Sequence, residues 1–214
     1  FYGLIGAGRS ELMEAILGFI ERTSGDVFVF GKKMNNLNPT EANKHGLALV
    51  PESRKTQGLV LENTVAFNTT LVVLESFINY LRVNRRKELQ IVNHGIESLG
   101  IKTPSVKQRV SNLSGGNQQK VVLAKWLATS PKILILDEPT RGIDVGAKAE
   151  IYRIINELAA SGIAIIMVSS ELNEVLNMCD RLVVMREGEI AGTLEKKDFS
   201  QDTILNYALE EINE

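Results

Sequence analysis

Three short stretches of this 214-residue chain carry residue types suited to phosphate chemistry. Leu113-Ser114-Gly115-Gly116-Asn117-Gln118-Gln119-Lys120 puts a Ser-Gly-Gly turn where a helix opens, and such a turn offers an anion several backbone N–H groups at the positive end of a dipole. Ile133-Leu134-Ile135-Leu136-Asp137-Glu138-Pro139 reads as a buried strand that delivers two carboxylates to the carboxyl edge of a sheet, where α/β folds keep their ligands. One carboxylate can hold Mg²⁺ and the next can polarise a water. Gly3-Leu4-Ile5-Gly6-Ala7-Gly8-Arg9-Ser10 has the spacing of the phosphate-binding loop G-x-x-x-x-G-K-[ST], with Arg9 in place of lysine. A guanidinium keeps the charge but is broad, planar and stiff where an ammonium is compact. Glu11 adds a carboxylate to the first helical turn, where it gains from the dipole and competes with a triphosphate for the same N–H groups. A dinucleotide-binding reading of Gly6-x-Gly8 is weak: its third glycine position is Glu11, and Asp26 starts a strand instead of ending one.

The elements that must position these groups alternate. Phe1 to Ile5 can be only the tail of a strand, and a first strand pair is expected upstream of it. Helical periodicity follows over Glu11 to Ile20, a strand over Asp26 to Phe30, a turn at Gly31-Lys32-Lys33, and a strand over Leu47 to Val50, stopped by Pro51. From Leu61 to Ile101 the pattern becomes amphipathic helix, with Leu71, Leu74, Phe77, Ile78 and Leu81 on one stripe. The alternation then resumes: helix Gln118–Thr129, strand Ile133–Asp137, helix Gly146–Ala160, strand Ile163–Val168, helix Leu172–Met178 and strand Leu182–Met185, with Arg186-Glu187-Gly188-Glu189 as a hairpin turn. That order predicts an α/β fold, a largely parallel sheet covered by helices, with an inserted helical subdomain. The acidic tail after Thr193 carries no motif.

Hydrophobic content of 44%, charged content of 23% and a net charge of −2 describe an ordinary globular protein with no pull toward nucleic acid. The one basic cluster, Arg82, Arg85, Arg86 and Lys87, reads as a solvated helix face. No apolar stretch reaches the roughly 18 to 20 residues that span a bilayer. Cys179, the single cysteine, excludes an internal disulfide and reads as packing. The chain opens without an initiator Met, and Arg9, Glu11 and Glu14 interrupt its first apolar stretch, against a signal peptide. It is expected to be a piece of something longer.

On the octet 113–120, the Asp137-Glu138 strand and the glycine loop, in that family's order, the sequence resembles the ATP-binding-cassette (ABC) ATPases: the octet looks like their signature motif, the strand like Walker B and the loop like Walker A. The resemblance implies a P-loop NTPase with a RecA-like core over 1–58 and 117–195, a helical subdomain over 59–116, a small antiparallel β part, and a C-terminal tail over 196–214. It implies ATP and Mg²⁺, with Ser10 and Asp137 on the metal and Glu138 as the general base that orients water. Gly3, Gly6, Ala7, Gly8, Arg9, Ser10 and Glu11 would surround the chain's own nucleotide. Glu52 stands where the family usually has the Q-loop glutamine, and Ser169-Ser170-Glu171 where it has a switch histidine; His45 and His94 read as surface residues that cannot replace it. Ser114, Gly115, Gly116 and Gln118 would meet a nucleotide held by a partner domain, and Arg141-Gly142-Ile143-Asp144 matches the D-loop. Arg9, Glu11, Glu52 and Ser170 weaken the chain's own site while the signature is intact. That asymmetry resembles the C-terminal cassette of tandem ATPases that energise carbohydrate importers of the ribose, galactose and xylose class. A sister cassette, transmembrane permease subunits and, indirectly, a sugar-binding protein are the implied partners, with the chain peripheral on the cytoplasmic face of the membrane. A non-hydrolytic nucleotide-binding or structural module is the alternative.

Overall fold

The structure, a computed structural model, describes residues 1–35, 37–80 and 82–209. After the glycine loop, α1 (Arg9–Leu17) leads to the hairpin β1 (Val27–Val29) and β2 (Lys32–Met34), then α2 (Pro39–Lys44) and β3 (Leu47–Val50). A π-helical turn at Arg54–Gly58, α3 (Val65–Thr70), a 3₁₀ segment at Leu71–Ser76, the short hairpin β4 (Ile78–Asn79) and β5 (Arg82–Val83), and α4 (Arg85–Leu99) form the insertion. The chain continues through α5 (Gly115–Leu127), β6 (Ile133–Asp137), α6 (Val145–Ala160), β7 (Ala164–Val168), α7 (Leu172–Met178), the hairpin β8 (Arg181–Arg186) and β9 (Glu189–Glu195), and α8 (Gln201–Leu209).

β6 is the centre of the molecule, paired in parallel with β3 on one side and β7 on the other. Leu134, Ile135 and Leu136 are fully buried, which a strand covered on both faces requires. Leu134 and Leu136 pack with Val121, Val122 and Leu123 of α5 and Ile151, Ile154 and Ile155 of α6. Ile135 faces the other way, onto Met13 and Leu17 of α1. The strand's period of two thus divides the core into two layers.

Tyr2 joins this sheet to the β8–β9 hairpin. It bridges in parallel to Ser169 and to Val184, donating to Val183 O at 2.9 Å and accepting from Met185 N at 2.7 Å. The hairpin turns through Glu187 and Gly188, both with positive φ, as a two-residue connection demands. Gly188 N donates to Ala7 O at 3.1 Å, so the hairpin tip touches the glycine loop. On the hairpin's flank lies α8, with the Tyr207 ring so close to Gly192 that an added Cβ would stand 2.7 Å from it.

Three expectations need correction. Gly31-Lys32-Lys33 is not the turn: Phe30 and Gly31 carry the positive φ values, and Lys32 and Lys33 are already paired in β2. The long amphipathic helix with Leu71, Leu74, Phe77 and Ile78 on one stripe does not form. Helix α3 ends at Thr70, whose hydroxyl donates back to Ala66 O at 2.8 Å, and Val73 leaves helical φ/ψ. β-branched residues lose rotamer freedom against the preceding turn, and four of the five residues 69–73 are β-branched. Leu81, expected on the same stripe, lies outside the described residues, as does the tail beyond 209. The expected basic helix face is divided, with Arg82 in β5 and Arg85, Arg86 and Lys87 opening α4.

Lys125 of α5 is 5% exposed and donates to Gly58 O at 2.5 Å, with its ammonium 5.2 Å from the centre of the Trp126 ring. Burial pulls its pKa from 10.5 down to about 8. Between those values the unfolded chain holds a proton that the folded chain has released, so this group makes stability rise with pH across that interval. Urea unfolding of the native chain and of Lys125→Met should therefore give a stability difference that moves in favour of the native chain as pH rises from about 8 toward 10.5. A difference independent of pH contradicts it.

Candidate functional site

A cleft of about 360 Å³ is lined by Gly6, Ala7, Gly8, Arg9, Ser10, Glu11, Glu52, Glu138 and Ser170, nine of the residues singled out in the sequence, with Ile5, Arg141 and Glu171 at its edge. Its floor is the glycine loop. Gly6 and Gly8 both have φ of +84°, which favours glycine, and Gly8 is the N-cap of α1. Gly3 lies below the cleft, where a Cβ would come within 2.4 Å of Met185 O. The first intrahelical bond is Leu12 N to Gly8 O, 3.0 Å, so the N–H groups of Arg9, Ser10 and Glu11 precede the ladder and are available to an anion. A phosphate fits this loop.

Two carboxylates stand at the end of β6, Asp137 and Glu138, 6% and 8% exposed, and of the two Glu138 lines the cleft. Burial pushes both carboxyls up from the ordinary range. For Asp137 the Ser10 hydroxyl and then Arg9 oppose that shift; for Glu138 the Ser170 hydroxyl, Arg9 and the Ser170 amide do so. Asp137 Oδ1 is buried without a hydrogen-bond partner, and the Ser10 hydroxyl approaches the same carboxylate. Two hard oxygens, one of them unsatisfied, fit Mg²⁺. Glu138 sits at φ +46° immediately after the ladder, a left-handed conformation uncommon for glutamate that turns its side chain out of the strand's alternation. Arg9 reaches it: Nη1 lies 3.2 Å from Glu138 Oε1, both side chains nearly buried, in an ion contact without the alignment of a hydrogen bond.

The loops beyond β6 and β7 are fixed by a residue the sequence reading passed over. Glu174 of α7, 3% exposed, accepts hydrogen bonds from the hydroxyls of Thr140, Ser169 and Tyr152, the last at 2.9 Å. Thr140 follows Glu138 and Ser169 precedes Ser170, so one buried carboxylate ties together the two strand ends that form the upper wall. Burial, with lesser hydrogen-bonding and charge effects, pushes the Tyr152 phenol up to about 12. Glu52, expected near a Q-loop position, forms an ion pair with Arg141.

Ser114, Gly115, Gly116 and Gln118 lie apart from this cleft. Ser114 is exposed and caps α5, accepting from Asn117 N at 3.5 Å, and the N–H groups of Gly115 and Gly116 precede the first helical bond, Gln118 N to Ser114 O. Gly116 and Gln118 turn inward. A Cβ on Gly116 would meet Ala147 Cβ at 2.6 Å, and the Gln118 amide donates to Val110 O and Leu113 O, both at 3.2 Å. The Gln118 side chain is therefore committed within the fold and is not presented toward a partner's nucleotide as the resemblance implied. His45 and His94 are exposed, as expected. No sequence spacing pointed to Glu174, whose partners are hydroxyls 5, 22 and 34 residues away on three separate segments.

Known proteins share this chain's sequence and fold. The family described as ABC transporter matches residues 1–141. A ribose import ATP-binding protein (RbsA) of Oceanobacillus iheyensis is 52% identical over 206 residues, which are 96% of this chain and 42% of that protein. One from Clostridium tetani is 47% identical over 208 residues, 97% of this chain and 41% of that protein. The chain thus spans about two fifths of the length of the curated relatives it matches. A nucleotide-free ATP-binding cassette from an ABC transporter superposes with a TM-score of 0.81 at 26% identity, covering 98% of this chain and 87% of that one. Another ATP-binding cassette, in its ADP conformation, gives 0.79 at 25%, covering 98% and 86%.

Removing the Glu174 carboxylate would strand three hydroxyls, those of Thr140 and Ser169 among them fully buried. Glu174→Ala should lower the unfolding free energy by about 2–4 kcal/mol in urea titration, and Glu174→Gln, which keeps the shape and an acceptor, by less. Equal losses would show that volume and not the hydrogen bonds holds the loops.

Proposed function

Because the chain belongs to the ABC transporter family, we propose that it is the C-terminal ATP-binding cassette of a tandem protein that energises a bacterial sugar importer. In this reading 1–58 and 117–195 form the RecA-like core, 59–116 the helical subdomain and 196–214 a C-terminal segment. Its partners are a sister cassette, transmembrane permease subunits and, through them, a sugar-binding protein. It works at the cytoplasmic face of the membrane, and no helix among the described residues is long and apolar enough to cross one. Ribose is the sugar named for the relatives above, and a pentose or hexose of that class is the proposed cargo.

The observation that carries the reading is Arg9. In the phosphate-binding loop a lysine reaches the β- and γ-phosphates; here a guanidinium lies 3.2 Å from the carboxylate that would orient the attacking water. When bound, Mg²⁺ would neutralise developing charge on the phosphates, held by Asp137 and Ser10. Glu138 can take a proton from water only as a free carboxylate, and the Arg9 contact holds that carboxylate in place without a nucleotide. Glu11 adds negative charge at the loop, and Ser170 offers one neutral hydrogen bond in place of an imidazole. The chain's own site is accordingly proposed to be weak in hydrolysis. The exposed Ser114 cap and the first-turn amides of α5 are proposed to complete the sister's site instead.

The same ion contact favours one second reading, a non-hydrolytic module that binds nucleotide to hold the assembly together. Calorimetric titration of the chain with ATP and Mg²⁺ separates the two, since tight binding with no turnover in the full assembly supports the module.

The decisive experiment substitutes the clamp and the loop separately in the natural full-length protein. Gly116→Asp would collide with Ala147 and report packing, so Ser114→Arg is the better probe, with Ser114→Ala as a control for the lost cap. Ser114→Arg should lower ATP turnover about 100-fold, Ser114→Ala far less, and Arg9→Ala less than Ser114→Arg. Equal damage from Ser114→Arg and Arg9→Ala would mean that the two sites are equivalent.

A further inference from the structure

Arg54 belongs to none of the expected site residues, yet its guanidinium joins three segments. Nη1 donates to Arg141 O at 2.8 Å, Nη2 to Gly142 O at 2.9 Å, and Nε lies 3.4 Å from Gln118 Oε1. Gln118 passes the connection on, since its amide donates to Val110 O and Leu113 O, the residues that lead into Ser114. The fork also rests against glycine on two sides: a Cβ on Gly115 would stand 3.0 Å from Nη2, and one on Gly142 would stand 3.7 Å from Nη1. Two residues earlier, Glu52 pairs with Arg141, so the segment after β3 grips the 141–142 loop twice, once by its backbone and once by its side chain. Five N–H donors in a fixed plane suit this arrangement, and a lysine ammonium, a single point on a flexible stem, cannot span both carbonyls and Gln118.

We propose that Arg54 is a positioning residue that sets the Ser114–Gly115 turn and the 141–144 loop at one fixed spacing, so that both meet the sister cassette's nucleotide together. The inference rests on the reading that this chain lends those two elements to a sister's site. The guanidinium does not line the glycine-loop cleft. It acts by fixing the spacing of two loops that otherwise meet only through small-residue packing, Gly116 against Ala147 and Ile143, and a displacement of about 1 Å in such a constellation costs on the order of 100-fold in rate.

The test uses the natural full-length protein assembled with its permease. Arg54→Lys, which keeps the charge and the half-buried stem, and Arg54→Ala should each lower kcat for ATP by about 10- to 100-fold, with KM for ATP changed less than about twofold, because ground-state nucleotide is held by the sister's own loop. Hydrogen exchange should speed up at the amides of 141–144 and 114–117 in Arg54→Lys while the amides of β6 stay protected. If Arg54→Ala fails to fold, Arg54→Lys alone decides. If Ser114→Arg abolishes turnover while Arg54→Lys leaves kcat intact, the positioning role is overturned and the lent clamp stands. If neither substitution alters kcat, both are overturned. A rise in KM with unchanged kcat assigns Arg54 to nucleotide binding and likewise overturns the proposal.

Discussion

Two neighbouring carboxylates desolvated at the end of a fully buried strand are the constraint around which this molecule is arranged. β6 must be apolar to sit between β3 and β7 and beneath helices on both faces, and its last residues must then carry charge into a nearly dry pocket. Part of what surrounds them compensates: Arg9 lies against Glu138, and the Ser10 and Ser170 hydroxyls oppose the upward shifts of Asp137 and Glu138, while Glu11 and Glu14 add to that of Asp137. Asp137 Oδ1 and Arg9 Nη1 are both buried there without a hydrogen-bond partner.

The walls of the pocket follow from the same burial. Loops that leave the carboxyl edge of a parallel sheet lose the ladder that held them, and here each is fastened by a side chain from elsewhere. Glu174 gathers Thr140 and Ser169; Arg54 gathers the next two carbonyls of the first loop; Asp144 closes that loop by capping α6 through Ala147 N at 2.9 Å. The loop over 140–144 is thus pinned at its start and middle by two unrelated segments and at its end by its own cap on α6.

Much of this was legible in the sequence, and the reason is locality. The bounds of β6 and of α7 could be read from apolar runs and their punctuation, and the 186–189 turn from its Glu-Gly pair. The glycine loop and the Asp137-Glu138 pair were legible because spacing within one segment defines their chemistry, and the cleft brings them together. The stripe over 71–78 misled because periodicity counts apolar residues without asking whether they can hold helical torsions, and Val73 does not. Arg54 escaped because two of its partners are main-chain carbonyls 87 and 88 residues away, and a carbonyl has no residue type to recognise; Glu174 escaped because its three hydroxyl partners, 5, 22 and 34 residues away, share no local spacing. Arg9 stands out in the sequence as a departure from the loop's lysine, but its contact with Glu138 joins residues 129 positions apart and has no sequence signature.

The hairpin of β8 and β9 gives the plainest segment of the chain mechanical purchase on its most chemical one. Gly188 at its tip hydrogen-bonds the glycine loop at Ala7 and stands beneath Gly8, while the far flank carries the Tyr207 ring against Gly192. A side chain at Gly192 would have to displace that ring. The cradle's position is accordingly tied to that of the β8–β9 turn.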